Sequence, residues 1–98
     1  MEEVRYPRGE YVFRRGEEGD ALYVIVSGTA SVQLARPGET FSNELAQLAH
    51  PDYFGEGALL DNKPRAADVL ALSDLNVMRL QRTDFERLLG PLQVWQRA

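Results

Sequence analysis

Residues 53–72 read YFGEGALLDNKPRAADVLAL, which places one acid, Glu56, between two glycines and one arginine, Arg65, nine residues later. Gly55 and Gly57 carry no side chain, so an anion can approach the NH groups that the first turn of a predicted helix leaves unpaired. The planar guanidinium of Arg65 matches phosphate oxygens, and an ionised Glu56 accepts hydrogen bonds from hydroxyl groups. The stretch therefore predicts a site for a sugar diol joined to a phosphate, and a nucleotide is the natural candidate.

The first two thirds of the chain consist of short runs of β-forming residues separated by turns that contain glycine. Residues 22–26 are apolar on both faces, so we expect a central strand, whereas residues 31–34 alternate as a half-buried strand does. This pattern requires a closed or double-sheet arrangement. Residues 36–43 are polar and are expected to form a loop. The predicted strands are 4–6, 11–14, 21–27, 30–35, 44–50, 66–72 and 75–80.

The end of the chain changes to a helical period. Thr83 and Glu86 have the spacing of a capping box, so we expect a helix to begin there. Gly90 and Pro91 interrupt the pattern because proline removes a helical hydrogen bond, which predicts a hinge. The apolar residues that define the period are Phe85, Leu88, Leu89, Leu92 and Trp95.

Composition restricts the class of protein. A chain of 98 residues is expected to form one domain, 1–98, and its 44% hydrophobic and 27% charged residues are typical of soluble proteins. The absence of cysteine and of an apolar run of about 20 residues favours a cytoplasmic protein. The net charge of −4 argues against a nucleic-acid partner, so the adjacent Arg14 and Arg15 are expected to be solvated charges at a strand end.

An enzyme is poorly supported by the sequence. His50 is the only histidine, and no plausible nucleophile pairs with it, so we expect a loop residue and no catalytic group. The acids Asp52, Glu56, Asp61 and Asp68 lack both the spacing of a calcium loop and a histidine partner. We therefore expect no metal and no cofactor.

Residues 54–67 resemble the phosphate-binding cassette of cyclic-nucleotide-binding domains, which reads F-G-E-x-A-L, a spacer, then P-R-x-A. Upstream, GEYVFRRGEEGDALYVIVSGTASV is similar to the opening hairpins of the same family, and the resemblance extends over residues 4–92. It implies a mainly β fold: an eight-stranded jelly-roll barrel with a short cassette helix and a hinged C-terminal helical segment, excised from a larger protein. The cassette positions are filled by Phe54, Gly55, Glu56, Ala58, Leu59, Pro64, Arg65 and Ala67.

The resemblance assigns roles to individual residues. Arg65 would bind the exocyclic phosphate and Glu56 the ribose 2′-hydroxyl, whereas the alternative is that the two merely form a surface ion pair. Asp20 would orient the arginine, although an Asp after Gly is also a common turn residue. The remaining phosphate contacts would be backbone NH groups around Gly57, Ala58 and Ala67.

Three further positions concern selectivity and closure. Ala66 stands where relatives selective for cyclic GMP often have threonine, which favours cyclic AMP. Asp68 replaces the usual serine or threonine, and a carboxylate about 4 Å from a phosphate would cost about 4 kcal/mol at a dielectric of about 20. That cost shrinks if Asp68 turns outward or pairs with a basic side chain. The carboxylate could instead accept hydrogen bonds from the amino and imino groups of a guanine. Trp95 either caps the base or packs against the barrel or a neighbouring domain.

The implied function is that of a regulatory binding domain, not an enzyme. The chain most resembles regulatory domains of protein kinase A, and the hinge would couple ligand binding to a kinase catalytic domain, attached or separate. Neither nucleic acid nor membrane is an expected partner. The alternatives are a cyclic-GMP-binding domain of a cyclic-GMP-dependent kinase, and a degenerate interaction module that has lost cyclic nucleotides.

Overall fold

The computed structural model describes residues 2–61 and 63–89, which form eight strands and two helices. Neither helix is long and apolar enough to cross a membrane. The strands are β1 Glu2–Tyr6, β2 Tyr11–Phe13, β3 Ala21–Ser27, β4 Thr29–Leu34, β5 Asn43–Ala49, β6 Tyr53–Phe54, β7 Asp68–Ala71 and β8 Leu75–Gln81. The helices are α1 Glu56–Asp61 and α2 Arg82–Leu89.

The strands form two four-stranded antiparallel sheets, with the orders β1-β8-β3-β6 and β2-β7-β4-β5. Eight strands in two such sheets are typical of a jelly roll, so the expected mainly β fold with a short helix is confirmed. Closure into one barrel and the hinged helix stay predictions. The expected hinge at Gly90 and Pro91 lies outside the described residues, as does Trp95.

The core lies between the two sheets. Along β3 every second side chain faces inward, so Ala21, Tyr23 and Ile25 are buried whereas Val26 on the other face is 46% exposed. The expected central position of β3 is correct, because β3 pairs with both β8 and β6. The second sheet contributes Phe13, Ala30, Val69 and Ala71 to the same core.

The strand boundaries differ from expectation at the cassette. The two-residue strand β6 was not predicted, because two residues are too few to show an alternating period. Strand β7 begins at Asp68 and not at the predicted Ala66, because residues 66–67 belong to the turn that leaves the cassette. Helix α2 begins at Arg82, ahead of the predicted start, and the Asp84 carboxylate accepts a hydrogen bond from the Gln81 N–H at 3.1 Å.

Candidate functional site

A cavity of about 360 Å³ opens beside the segment that joins α1 to β7. Its apolar wall includes Val32 and Leu48 from the inner face of the second sheet, together with Phe13. The charged side chains among the described lining residues are Glu56, Lys63 and Arg65. The predicted site residues that this cavity brings together are Gly55, Glu56, Gly57, Arg65, Ala66 and Ala67.

The main chain of Arg65 is fixed to the loop that joins β2 to β3. The Arg65 N–H donates to the Glu17 carbonyl at 2.9 Å, and the Gly16 N–H donates to the Arg65 carbonyl at 2.8 Å. These two bonds hold the arginine backbone against a segment almost fifty residues away in the sequence. Arg65 is 6% exposed, which is unusual for an arginine.

The guanidinium of Arg65 is oriented by carbonyl oxygens. Nη1 and Nη2 both donate to the Ala21 carbonyl at 3.2 Å, and Nη1 also donates to the Gly55 carbonyl at 3.1 Å. An arginine has five N–H donors, so these bonds leave the Nε–H and the second Nη2 N–H without a partner among the described residues. Those two donors lie on one edge of the group and are parallel, which is the geometry that binds two phosphate oxygens.

Two glycines make room for this guanidinium. A Cβ atom at Gly19 would lie 2.6 Å from both Cζ and Nε of Arg65, and a Cβ at Gly55 would lie 2.7 Å from Nη1. Gly55 also has a φ of +88°, which L side chains rarely adopt. Gly55 was expected to let a ligand approach the backbone, and in the structure it also makes room for the arginine.

The charge of Arg65 has no directly paired carboxylate among the described residues. None of the ion pairs between described residues includes it. Desolvation by burial lowers the pKa of Arg65, while interactions with Tyr23, Asp20 and Glu17 oppose that shift. The group stays protonated because arginine titrates far above neutral pH. A buried cation bonded only to neutral carbonyls is a receptive position for an anion.

Glu56 begins α1 and lines the cavity with an exposed side chain. Its position in the first turn is favourable, because a carboxylate there complements the positive end of the helix. The alternative that Glu56 and Arg65 form a surface ion pair is not observed, since Arg65 is buried and its hydrogen bonds go to carbonyls. Glu56 is therefore available to a ligand.

Asp20 has an exposed side chain and lies 3.8 Å from Nη2 of Arg79 in an ion pair. Arg79 also pairs with Glu2 at 3.7 Å. Asp20 contributes to the charge environment of Arg65, but the hydrogen bonds of Arg65 go to other groups. The orienting role of Asp20 thus stays a prediction.

Asp68 was expected among the ligand-binding residues, but it is not one of the residues that line the cavity. Its carboxylate accepts a hydrogen bond from the Arg15 N–H at 2.7 Å and lies 3.3 Å from Nε of Arg14. Successive side chains of a strand point to opposite faces, so Val69 faces the cavity and Asp68 does not. Of the alternatives considered from the sequence, pairing with a nearby basic side chain is the one observed.

This placement predicts that Asp68→Ala lowers stability rather than changing affinity. Removal of the carboxylate leaves the Arg15 N–H without its charged acceptor, which is expected to reduce the free energy of unfolding by about 1–3 kcal/mol. Urea unfolding measures this loss, with the exposed Glu18→Ala as the control for removal of one negative charge. A gain of affinity for cyclic nucleotide in Asp68→Ala would show that the carboxylate repels the ligand after all.

His50 lies in a turn with an exposed side chain, and its Nδ1 is 3.1 Å from the Ile25 carbonyl oxygen. The part of the chain that the structure describes contains no group of three or more His, Asp or Glu placed to hold a metal ion. Arg14 is exposed as expected, but it also stacks on Tyr11, with Cζ 4.0 Å from the ring centroid.

One contact at the site was not predicted from the sequence. Cζ of Arg65 lies 4.2 Å from the centroid of the Phe13 ring. An apolar residue in a short strand gives no sequence signal of such a contact, because the partner is brought close only by the tertiary fold.

A double-sheet β domain with a cavity beside a buried arginine belongs to the class of small-molecule-binding β domains. Residues 3–90 match the family model of the cyclic nucleotide-binding domain, and the chain belongs to that family. The cAMP-dependent protein kinase regulatory subunit of Emericella nidulans is 41% identical over 93 residues, which are 95% of this chain and 22% of that protein. The chain thus spans under a quarter of that relative, which is by name a regulatory subunit.

Two solved structures share the fold. The regulatory domain of Toxoplasma gondii PKA with cAMP has a TM-score of 0.83 and 35% identity, covering 97% of this chain and 36% of that one. The regulatory subunit of a cAMP-independent protein kinase A from Trypanosoma brucei has a TM-score of 0.80 and 32% identity, covering 98% and 35%. The first is by its description a complex with cAMP, and the second is the regulatory subunit of a kinase described as cAMP-independent.

Proposed function

We propose that this domain binds a cyclic nucleotide, with cyclic AMP favoured, and that occupancy of the cavity controls a kinase catalytic domain. The observation that carries this proposal is the donor edge of Arg65, which is buried and has no carboxylate partner among the described residues. A cyclic phosphodiester brings one negative charge and two free oxygens, which match one cation and two parallel N–H donors. The cavity volume is within the range of small-molecule sites.

The other roles follow from position. Glu56 would accept a hydrogen bond from the ribose 2′-hydroxyl, and NH groups around Gly57, Ala58 and Ala67 would bind the remaining phosphate oxygens. The apolar wall would receive the purine. The methyl group of Ala66 offers no hydroxyl to a guanine amino group, which is the reason for favouring cyclic AMP.

We infer further that the domain is a regulatory part of a longer cytoplasmic protein and not an enzyme. Its relatives named as cAMP-dependent kinase regulatory subunits support a catalytic domain, attached or separate, as the partner. Neither nucleic acid nor membrane is proposed as a partner. A ligand can act on such a partner only through different affinities for two conformations, and the segment around Gly90 and Pro91 is the proposed hinge. Trp95 stays a candidate for the lid over the base.

A second candidate is a domain that has lost cyclic nucleotides and binds another nucleoside or only protein. The similarity to a cAMP-independent regulatory subunit favours it. The free donor edge of Arg65 opposes it, because a neutral nucleoside would leave a buried cation without an anion. A cyclic-GMP-binding domain is the third possibility, and it differs only at the base.

Calorimetric titration with cyclic AMP, cyclic GMP and inosine separates these candidates. We expect cyclic AMP to bind most tightly and inosine, which has no phosphate, most weakly. Tighter binding of cyclic GMP would reverse the selectivity that we propose. Absence of binding by either cyclic nucleotide would overturn the proposal in favour of the second candidate.

The ribose contact gives a separate prediction. Glu56→Gln is expected to weaken the binding of cyclic AMP by about 1–2 kcal/mol, because an amide oxygen still accepts a hydrogen bond from a hydroxyl but carries no charge. This effect is smaller than the one expected for loss of the Arg65 side chain. Calorimetry with cyclic AMP and 2′-deoxy cyclic AMP measures this, since the deoxy ligand lacks the hydroxyl and should not distinguish the two proteins. An equal loss for both ligands would place Glu56 elsewhere. The exposed Glu18→Gln serves as the control.

A further inference from the structure

We propose that Phe13 is a positioning residue, whose ring holds the guanidinium plane of Arg65 in the orientation that presents its free donor edge to a ligand. The inference rests on the proposed function and adds a residue to it that carries no polar group. Its basis is the short distance from Cζ of Arg65 to the Phe13 ring centroid, 4.2 Å, between two side chains that are both largely buried.

The fold fixes the position of the Phe13 ring. Phe13 pairs with Val69 across β2 and β7, and the register of this pair shifts between Tyr11 and Phe13, as at a β-bulge. A bulge changes the direction of the side chain that follows it. The Phe13 ring also packs against two other rings. Its centroid lies 6.0 Å from the centroid of the Tyr23 ring and 5.8 Å from that of the Phe54 ring.

The carbonyl hydrogen bonds alone do not fix the plane of the guanidinium. Two of the bonds converge on the Ala21 carbonyl oxygen and the third goes to the Gly55 carbonyl oxygen, so the group can still tilt about the line that joins these two oxygens. An aromatic face under the cation opposes this tilt, because the negative face of the ring attracts the charge. The attraction is greatest where water is excluded, as it is at this 6% exposed side chain.

The other nearby ring is a weaker support. The centroid of the Tyr23 ring lies 5.6 Å from Cζ of Arg65. The Tyr23 ring is stacked on the Phe54 ring, and the two centroids are 5.2 Å apart. Attraction between a cation and a ring becomes weak at about 6 Å. Phe13 is therefore the ring that orients the arginine. A side chain that is already ordered loses less conformational entropy when the ligand binds, which raises the affinity.

Phe13→Leu keeps an apolar side chain at this position and removes the aromatic face. We expect the affinity for cyclic AMP to fall about 5-fold, the effect of losing one desolvated cation–ring contact. Because Phe13 also lines the cavity, a fall in affinity counts for the inference only together with the measurement on the free protein that follows. Ile25→Val is the control for loss of a buried methyl group, since Ile25 is fully buried and does not line the cavity. It should reduce stability without reducing affinity. An unchanged affinity in Phe13→Leu would overturn the inference while the proposed function stands.

A measurement without ligand tests the positioning role directly. In wild-type protein the ring current of Phe13 should shift the NMR signals of the Arg65 Nε–H and Cδ protons upfield. Phe13→Leu should remove this shift, whereas Phe54→Leu, the same change in the neighbouring ring, should retain it. If the wild-type signals show no upfield shift, the inference is wrong, and this result needs no variant to fold. If the shift is present but no cyclic nucleotide binds, the contact is real and the proposed function is the part that fails.

Discussion

Replacement of Arg65 by alanine is expected to lower the affinity for cyclic AMP by about 30-fold or more, because truncation of a buried charged partner commonly costs about 2–5 kcal/mol. The free Nε–H and Nη2 N–H are the donors that a phosphate would use, and no other described side chain in the cavity offers a parallel pair. Calorimetric titration of wild type and Arg65→Ala with cyclic AMP measures the effect.

Two variants separate the charge from the shape of the group. Arg65→Lys keeps a positive charge but loses the planar fork, so we expect an affinity between those of wild type and Arg65→Ala. Arg36→Ala removes a positive charge from an exposed loop position outside the cavity and should leave the affinity unchanged. Unchanged binding in Arg65→Ala would contradict the assignment of Arg65 to the phosphate, provided that thermal unfolding shows a folded variant.

The sequence predicted most of the strands because their side chains alternate or form continuous apolar runs. Strand β3 has the predicted ends, and β1, β4, β5 and β8 differ from prediction by one or two residues at an end. The errors lie where local pattern carries little information. Strand β6 has two residues, and the start of α2 is set by a contact between Asp84 and the backbone of Gln81.

The site was predicted less completely than the fold. Glu56 and Arg65 line one cavity and both lie within the single continuous cassette segment, whereas their roles toward a ligand stay predictions. The pairing of Asp68 with a basic side chain was only one of several alternatives from the sequence, because its partners Arg14 and Arg15 are more than fifty residues away. The Phe13 contact was missed for the same reason: it depends on how β2 lies against the cassette, which residue spacing does not encode.

Gly55→Ala is expected to lower both stability and affinity, because one methyl group disturbs the backbone and the arginine together. The backbone at φ +88° is strained for any L side chain, which costs about 1–3 kcal/mol. The new Cβ would also lie 2.7 Å from Nη1 of Arg65 and 3.1 Å from the Ala21 carbonyl oxygen, so the guanidinium must leave its position. Urea unfolding measures the first effect and titration with cyclic AMP the second.

Gly57→Ala provides the matched control two residues along the chain. A Cβ at Gly57 meets no atom within 4 Å, and the residue lies in α1, where alanine is favoured over glycine by about 0.5–1 kcal/mol. We therefore expect Gly57→Ala to be as stable as wild type or more stable. If Gly55→Ala matched it in stability and kept full affinity, the conformation of Gly55 would not be what holds Arg65 in place. A stable Gly55→Ala with weak binding would contradict the expected backbone strain and would assign the loss of affinity to displacement of the guanidinium alone.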